Sequence, residues 1–419
     1  MGTEIFKVNG VTVANIKNKS NIAMFGIAVL AGSNYETPEI AGISHYAEHI
    51  FFKGTKTRNW RKINEEFALL GVNNNAFTNN NEVFYHTTCP KENISQVITL
   101  MTDMFFNSVY DREEIDKERN VIIEEKKMYE DDVRSSFFSG ISNRFFDWDI
   151  GHDTIGTFET IKSINRENIM DYLKSKISLN NMIFICSGDI DSEDLKKYIE
   201  DNMPSKHSYL NNANINESPK GYWTDIINQP DKIKLLMERE NVTQASVAMF
   251  TNNLSTSNPL YYHSIVIGEA IGGGLYSLLA SRIREELGLC YSVCCFDQFL
   301  SYPDKRTFGI YGGTSVENVQ KFIEESEKIM KDVAQKGLSK KIFECAKTDY
   351  LSHVLRSTET SAGLGMFMVK KLLFHKEGCL EDILAKIRSV NIDECNELAK
   401  DLLSNKFNWA VMIPKGSKI

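Results

Sequence analysis

The chain reads as an α+β protein built from two related domains. Three observations carry this reading. Its 419 residues, 42% hydrophobic and 25% charged, suit a soluble globular chain of two ordinary domains. Each half runs from strand-like text into helical text in the same order. Between the halves, 203–230 holds three of the eight prolines in polar surroundings. The expected division is 1–205, a linker over 206–230, and 231–419.

The first half opens with "FKVNGVTVANIK", a turn at Asn18–Asn21 and "IAMFGIAVLAGS", short β-branched runs that read as paired strands. A helix follows across "ISHYAEHIFF", then another through "RKINEEFALLG". The Asn-rich "VNNNAFTNNNEVFYHTTC" alternates at its end like a strand. Residues 91–107 and 112–130 place apolar residues at helical spacing, and "NMIFICSGD" is a compact buried strand. In the second half, "QASVAMFTNN" (244–253) echoes "SNIAMFGIAV". Helical text covers 260–287, strands "CYSVCCFDQFL" and "TFGIYGG" come next, and two helices (317–335, 339–375) lead to the closing strand "NWAVMIP". A tandem similarity of this size means paired domains, not a solenoid.

Composition narrows the function. A net charge of −8 argues against nucleic acid, which calls for a basic patch, and is compatible with basic peptide partners. No run reaches the ~18 apolar residues of a membrane span, and the N-terminal text lacks the pattern of a secretory or transit peptide. The eight cysteines sit mostly in apolar text, as reduced core thiols do. A cytoplasmic location is expected.

The chemistry starts at His45-x-x-Glu48-His49. On a helix, residues i and i+4 share a face and i+3 lies on it too. His45 and His49 can therefore share one metal, with Glu48 placed to act as general base on a water. The order inverts H-E-x-x-H while keeping its roles. A catalytic zinc needs a third protein ligand and an open position. In "DKERNVIIEEKKMYEDD", Glu118 and Glu125 lie two turns apart on one face, and Glu124 is rotated away by about 100°. Glu125 could ligate and Glu118 support the site from behind. The competing reading is a solvated, salt-bridged helix face.

These residues, with the flanking "GIS" and "FFKGT" and the segment "ERNVIIEE", resemble the pitrilysin family, the M16 inverzincins. The chain is similar to its short members, the mitochondrial processing peptidase β subunit and bacterial processing proteases. The resemblance implies a LuxS/MPP-like metallohydrolase fold, each domain an antiparallel-dominated sheet packed with helices. It implies one zinc per chain on His45, His49 and Glu125, with Glu48 as base and Glu118 assisting. "IGGGLYSLLASRIREELGLCYSV" (271–293) resembles the family's second-half signature, which assigns Arg284 and Tyr291 to the substrate backbone and the oxyanion. "NNAFT" (74–78) looks like the family's substrate-pairing edge strand, and Asn75 and Ala76 are the positions carried over. Here Asn79–Asn81 stand where an acidic residue is usual, and Tyr46-Ala47 replaces the commoner Phe-Leu. "GHDTIGTFETI" and "CSGDIDSEDLKKYIED" extend the similarity over most of the chain.

The implied function is a zinc endopeptidase acting on peptides or unfolded, presequence-like segments in a chamber closed by a second chain, a homodimer or a heterodimer. The alternative is a non-catalytic partner or scaffold subunit. Ligand loss would mark that alternative, and His45, His49, Glu48 and Glu125 are all present.

Overall fold

The computed structural model describes residues 2–212, 233–301, 305–375, 379–404 and 407–419. From residue 213 onward the expected linker lies outside the described residues. The chain divides into two compact units: residues 1–130, 148–221 and 357–381, and residues 131–147, 222–356 and 382–419.

Unit 1 contains strands β1 (Gly2–Val8), β2 (Val11–Lys17), β3 (Ile22–Val29), β4 (Asn73–Thr78), β5 (Val83–Pro90) and β6 (Met182–Gly188). Its helices are α1 (Ile43–Phe51), α2 (Trp60–Leu69), α3 (Ile94–Asn107) and α4 (Arg112–Asp131), which runs just past the unit boundary. After α5 (Val133–Phe145), which belongs to unit 2, come α6 (Trp148–Gly151), α7 (Phe158–Ser163), α8 (Arg166–Lys176) and α9 (Ser192–Asn202). Unit 2 continues with β7 (Ile233–Arg239), β8 (Ala245–Asn253), α10 (Tyr261–Gly272), a π-helical turn at Ala280–Glu286, β9 (Cys290–Ser301) and β10 (Lys305–Thr314). Helices α11 (Val319–Lys336), α12 (Lys340–Ser357), α13 (Ser361–Lys370), α14 (Leu380–Ser389) and α15 (Ile392–Leu402) precede β11 (Asn408–Pro414).

The sheets run β1-β2-β6-β3-β5-β4 and β7-β11-β8-β10-β9. Each has one parallel pair, β2/β6 and β7/β11, and is otherwise antiparallel. With β1 set aside, the strands correspond one to one. The echo between "QASVAMFTNN" and "SNIAMFGIAV" falls on β8 and β3, which occupy the same place in the two sheets.

In unit 1, Ala23, Phe25, Ile27 and Val29 of β3 face a core shared with α1, α3, α8 and α9. The intervening residues are buried as well, because α13 covers the second face. A Cβ on Gly365 of α13 would lie 2.6 Å from Met24 Sδ, and Ser361 Oγ donates to Ile22 O at 2.6 Å. A strand covered on both faces loses its alternation, so β3 reads as a continuous apolar run. Helix α5 serves the unit 2 sheet: Phe138 packs edge-on to Phe296 at 5.3 Å, and Phe145 to Phe250 at 4.7 Å. Each unit thus takes one helix from the chain segment of the other half.

That exchange corrects the single helix expected over 339–375. The chain breaks after Ser357, where Thr360 caps α13 by accepting the Gly363 N–H at 3.0 Å. A hydroxyl that serves the first turn of a new helix competes with continuing the old one. The sequence reading also passed over α14 and α15. The latter opens on an Asn391 cap with Glu394 at its N3 position, a start signal present in "NIDE".

One crossing in unit 1 fixes the entry to α1. Gly42 (φ +90°) and Gly156 (φ +80°) lie back to back; a Cβ on Gly42 would meet Ile155 O at 2.4 Å, and one on Gly156 would meet Ala41 O at 2.2 Å. Gly42→Ala combines an unfavourable φ with a backbone clash. We expect about 3 kcal/mol of lost stability, read by chemical denaturation. Among the described residues no helix is long and apolar enough to cross a membrane, and all eight cysteines are free.

Candidate metal centre

Helix α1 is anchored at its N-terminal end. No side chain caps Gly42 in the usual way. Instead the buried Glu36 carboxylate accepts the N–H groups of Gly42 (2.7 Å) and Ser44 (2.8 Å), placing negative charge at the positive end of the helix dipole. His152 backs Glu36 at 3.2 Å and stacks on Trp148 at 4.0 Å. Burial opposes its cation, but Glu36 outweighs burial and holds the His152 pKa above its ordinary value. A raised histidine pKa contributes stability that is complete below about pH 6.5 and is lost as pH rises through the folded value. His152→Gln should therefore cost more stability at pH 5.5 than at pH 9, a difference read from denaturation curves at both.

Tyr46 is fully buried, and its hydroxyl donates to Ile115 O of α4 at 2.6 Å. The departure from Phe at this position thus adds a polar tie between the two helices that carry the site.

On the facing sides of α1 and α4 the ligand atoms converge. His45 Nε2 and His49 Nε2 are 3.3 Å apart; Glu125 Oε2 is 3.6 Å from the first and 3.2 Å from the second. These three are the one group among the described residues with His, Cys, Asp or Glu ligand atoms close enough to share a metal ion. A tetrahedral zinc with bonds of about 2.0–2.1 Å would separate its ligand atoms by about 3.3–3.4 Å. The observed triangle has that size. Among the described residues Glu125 Oε2 is buried without a well-formed hydrogen bond, so this oxygen is crowded against two imidazole nitrogens that meet each other. A cation between them removes the conflict. Glu124, the alternative acid, points outward and pairs with Lys127 at 2.7 Å.

Electrostatics separates the two imidazoles. Burial, then the neighbouring His49 charge, lowers the His45 pKa to about 4, against the pull of Glu125. Burial opposes the His49 cation too, but Glu118 and Glu125 outweigh it and raise that pKa to about 9. Glu118 Oε1 lies 3.0 Å from His49 Nδ1, and Lys53 Nζ lies 2.5 Å from Glu118 Oε2. His45 Nδ1, by contrast, is buried without a hydrogen-bond partner among the described residues.

Glu48 is buried on the same helix, and burial raises its pKa above the usual carboxylate value. Thr78 Oγ1 of β4 donates to Glu48 Oε2 at 2.6 Å. This ties Glu48 to the edge strand of the sheet. Asn75 is exposed and Ala76 half-buried on β4; the Asn75 side chain accepts the Ala76 N–H at 2.9 Å. Arg284 and Tyr291 lie in unit 2, where the guanidinium sits 5.5 Å from the Tyr291 ring, itself 86% exposed.

Sequence reasoning did not single out Lys53, Thr78, Glu36 or His152. All four stand inside or beside quoted stretches, but nothing in spacing alone distinguishes them from surface polar residues.

The family model described as Insulinase (Peptidase family M16) matches residues 12–153, and the Peptidase M16 inactive domain matches 163–350. His45, His49 and Glu125 all fall within the first. A Bacillus subtilis protein named uncharacterized zinc protease YmxG is 29% identical over 413 residues, covering 98% of this chain and 97% of that one. An uncharacterized zinc protease of Rickettsia bellii is 27% identical over 97% of this chain and 96% of its own length. In fold, the chain is similar to a protease from Helicobacter pylori (TM-score 0.88, 16% identity, 99% of both chains). It is also similar to a peptidase M16 inactive domain from Pseudomonas fluorescens (TM-score 0.86, 14% identity, 100% of this chain and 99% of that one). With two successive M16 models matched in order, full-length zinc-protease relatives and a His-His-Glu cluster inside the first matched region, the chain belongs to peptidase family M16.

Proposed function

We propose that this protein is a zinc-dependent endopeptidase cleaving peptides or unfolded, presequence-like segments. The observation that carries the reading is the His45–His49–Glu125 triangle, with the buried Glu48 on the same helix. Zinc, when bound by those three residues, supplies Lewis acidity toward a peptide carbonyl and toward water. Glu48 Oε2 is occupied by Thr78, which leaves Oε1 to take the proton of the attacking water. The same oxygen then returns that proton to the amine as the C–N bond breaks. Its raised pKa brings it closer to the value an efficient base needs near neutrality.

Substrate is held as an added strand on β4, which among the described residues pairs on one side only, with β5. Pairing of that kind gives affinity through the main chain with little demand on sequence. Because Thr78 of β4 touches Glu48, a peptide on this edge lies near the base. Asn75 and Ala76 are the proposed contact positions. The Asn75 side chain already covers the Ala76 N–H, so it would swing away as the peptide pairs. Arg284 and Tyr291 are proposed as substrate-contacting groups; their mutual packing and the exposure of Tyr291 support this. A second copy of the chain, or a related one, is proposed to complete a chamber around the substrate.

Metal analysis combined with cleavage of quenched fluorescent peptides tests the reading. One zinc per chain and chelator-sensitive cleavage are expected; protein without stoichiometric zinc would overturn it. Size exclusion with light scattering tests the pairing, and a monomer that cleaves peptides by itself would refute the need for a second chain.

A further inference from the structure

We propose that Lys53 is a positioning residue of the metal centre: it locks the Glu118 carboxylate that orients His49, and so sets how tightly the metal is held. The inference rests on the reading of His45, His49 and Glu125 as a metal site.

Lys53 follows α1 by two residues, and its backbone N–H closes the last turn on Ile50 O at 3.0 Å. Its stem is thereby fixed at the C-terminal end of the helix that carries both histidines. Its ammonium reaches Glu118 Oε2 at 2.5 Å while Glu118 Oε1 meets His49 Nδ1 at 3.0 Å. Each carboxylate oxygen therefore has its own partner, so the group cannot rotate without breaking one contact. A carboxylate held as acceptor at Nδ1 leaves Nε2 with its lone pair facing the ligand triangle. A cation suits the place: it adds to one oxygen of a carboxylate whose other oxygen is already engaged by His49.

The asymmetry of the centre gives this chain its weight. His45 Nδ1 is buried without a hydrogen-bond partner, so the Lys53–Glu118 pair is the support found behind a ligand histidine among the described residues. The Lys53 side chain is 29% exposed and Glu118 10%. The pair is thus largely removed from solvent, with Lys53 meeting Glu118 and Glu118 meeting His49. Loss of an outer partner of a metal-bound histidine typically costs about 10–100-fold in affinity.

The test uses the full-length protein and three variants, Lys53→Met, Lys53→Arg and Glu118→Gln. Zinc affinity is read by competition with a chromophoric chelator, and ligand geometry by the visible spectrum of the cobalt-substituted protein. Lys53→Met should weaken zinc binding about 10-fold and shift the cobalt bands. Lys53→Arg should recover most of the affinity. Combined with Glu118→Gln, Lys53→Met should add no further loss, since both act through one carboxylate. Circular dichroism checks that each variant is folded, and Lys53→Arg still reports if Lys53→Met is not. Wild-type affinity and spectrum in Lys53→Met would overturn the proposal. So would a folded Lys53→Arg no better than Lys53→Met. A wild-type protein that takes up neither zinc nor cobalt would overturn the metal-centre reading and this proposal with it, a result distinct from a metal-binding protein indifferent to residue 53.

Discussion

Glu48→Gln is expected to abolish peptide cleavage, lowering turnover about 10³-fold or more, while zinc content stays at the wild-type level. The substitution keeps the shape of the side chain and leaves Thr78 Oγ1 an acceptor at 2.6 Å, so the edge strand and α1 stay joined. What goes is the oxygen that takes a proton from water, a contribution of about 10²–10⁴-fold in general-base reactions. None of the ligand atoms is touched. Stability should hold or rise: burial disfavours the Glu48 charge, and a neutral amide removes that cost. Cleavage rates of a quenched peptide, zinc content and thermal unfolding on the same preparation check all three. Full activity in a folded, zinc-loaded Glu48→Gln protein would rule this carboxylate out as the base.

Glu125→Ala should empty the metal site. Its Oε2 closes the triangle at 3.2 Å and 3.6 Å from the two imidazole nitrogens, and without it the site has two nitrogen ligands and no anionic one. Zinc affinity should fall by more than the ~100-fold upper end seen for loss of an outer partner, and activity should fall with it. Glu124→Ala serves as the control, since Glu124 is engaged with Lys127 on the outer face; zinc and activity should be unchanged. If Glu125→Ala retained tightly bound zinc and Glu118→Gln did not, the third ligand would be Glu118 and the assignment would reverse.

How much of this site the residues reveal by themselves depends on whether its parts share a helix. His45, Glu48 and His49 lie on one helix at i, i+3 and i+4, where covalent geometry and helical pitch dictate that they share a face. Their common orientation was legible before any fold was known. Glu125 against Glu124 was legible for the same reason, once Glu118 supplied a reference position two turns away. Lys53, Thr78 and His152 were not legible, because each acts across a tertiary contact, and Glu36 was not because it reaches Gly42 and Ser44 from outside the helix, where no regular spacing marks it. Thr78 reaches Glu48 from another element, and His152 reaches Glu36 from more than a hundred residues further along. Nothing in local pattern records such a meeting.

The fold divides along the same line. Apolar runs and turn residues locate the strands, and the echo of β3 in β8 announces the shared topology of the two sheets. Local hydrogen bonding and side-chain alternation decide these features within a few residues. The break at Thr360 also had a local cause, a capping hydroxyl, but its consequence did not. That α13 leaves its own half to cover β3, and that α5 covers the unit 2 sheet, is decided by which apolar face remains open for each helix to bury. So too the pairing of the α1 histidines with Glu125: the sequence set the ligands on their helices. Only the packing of α1 against α4, fixed in part by Tyr46 on Ile115 O, brought their side-chain atoms within 3.6 Å of one another.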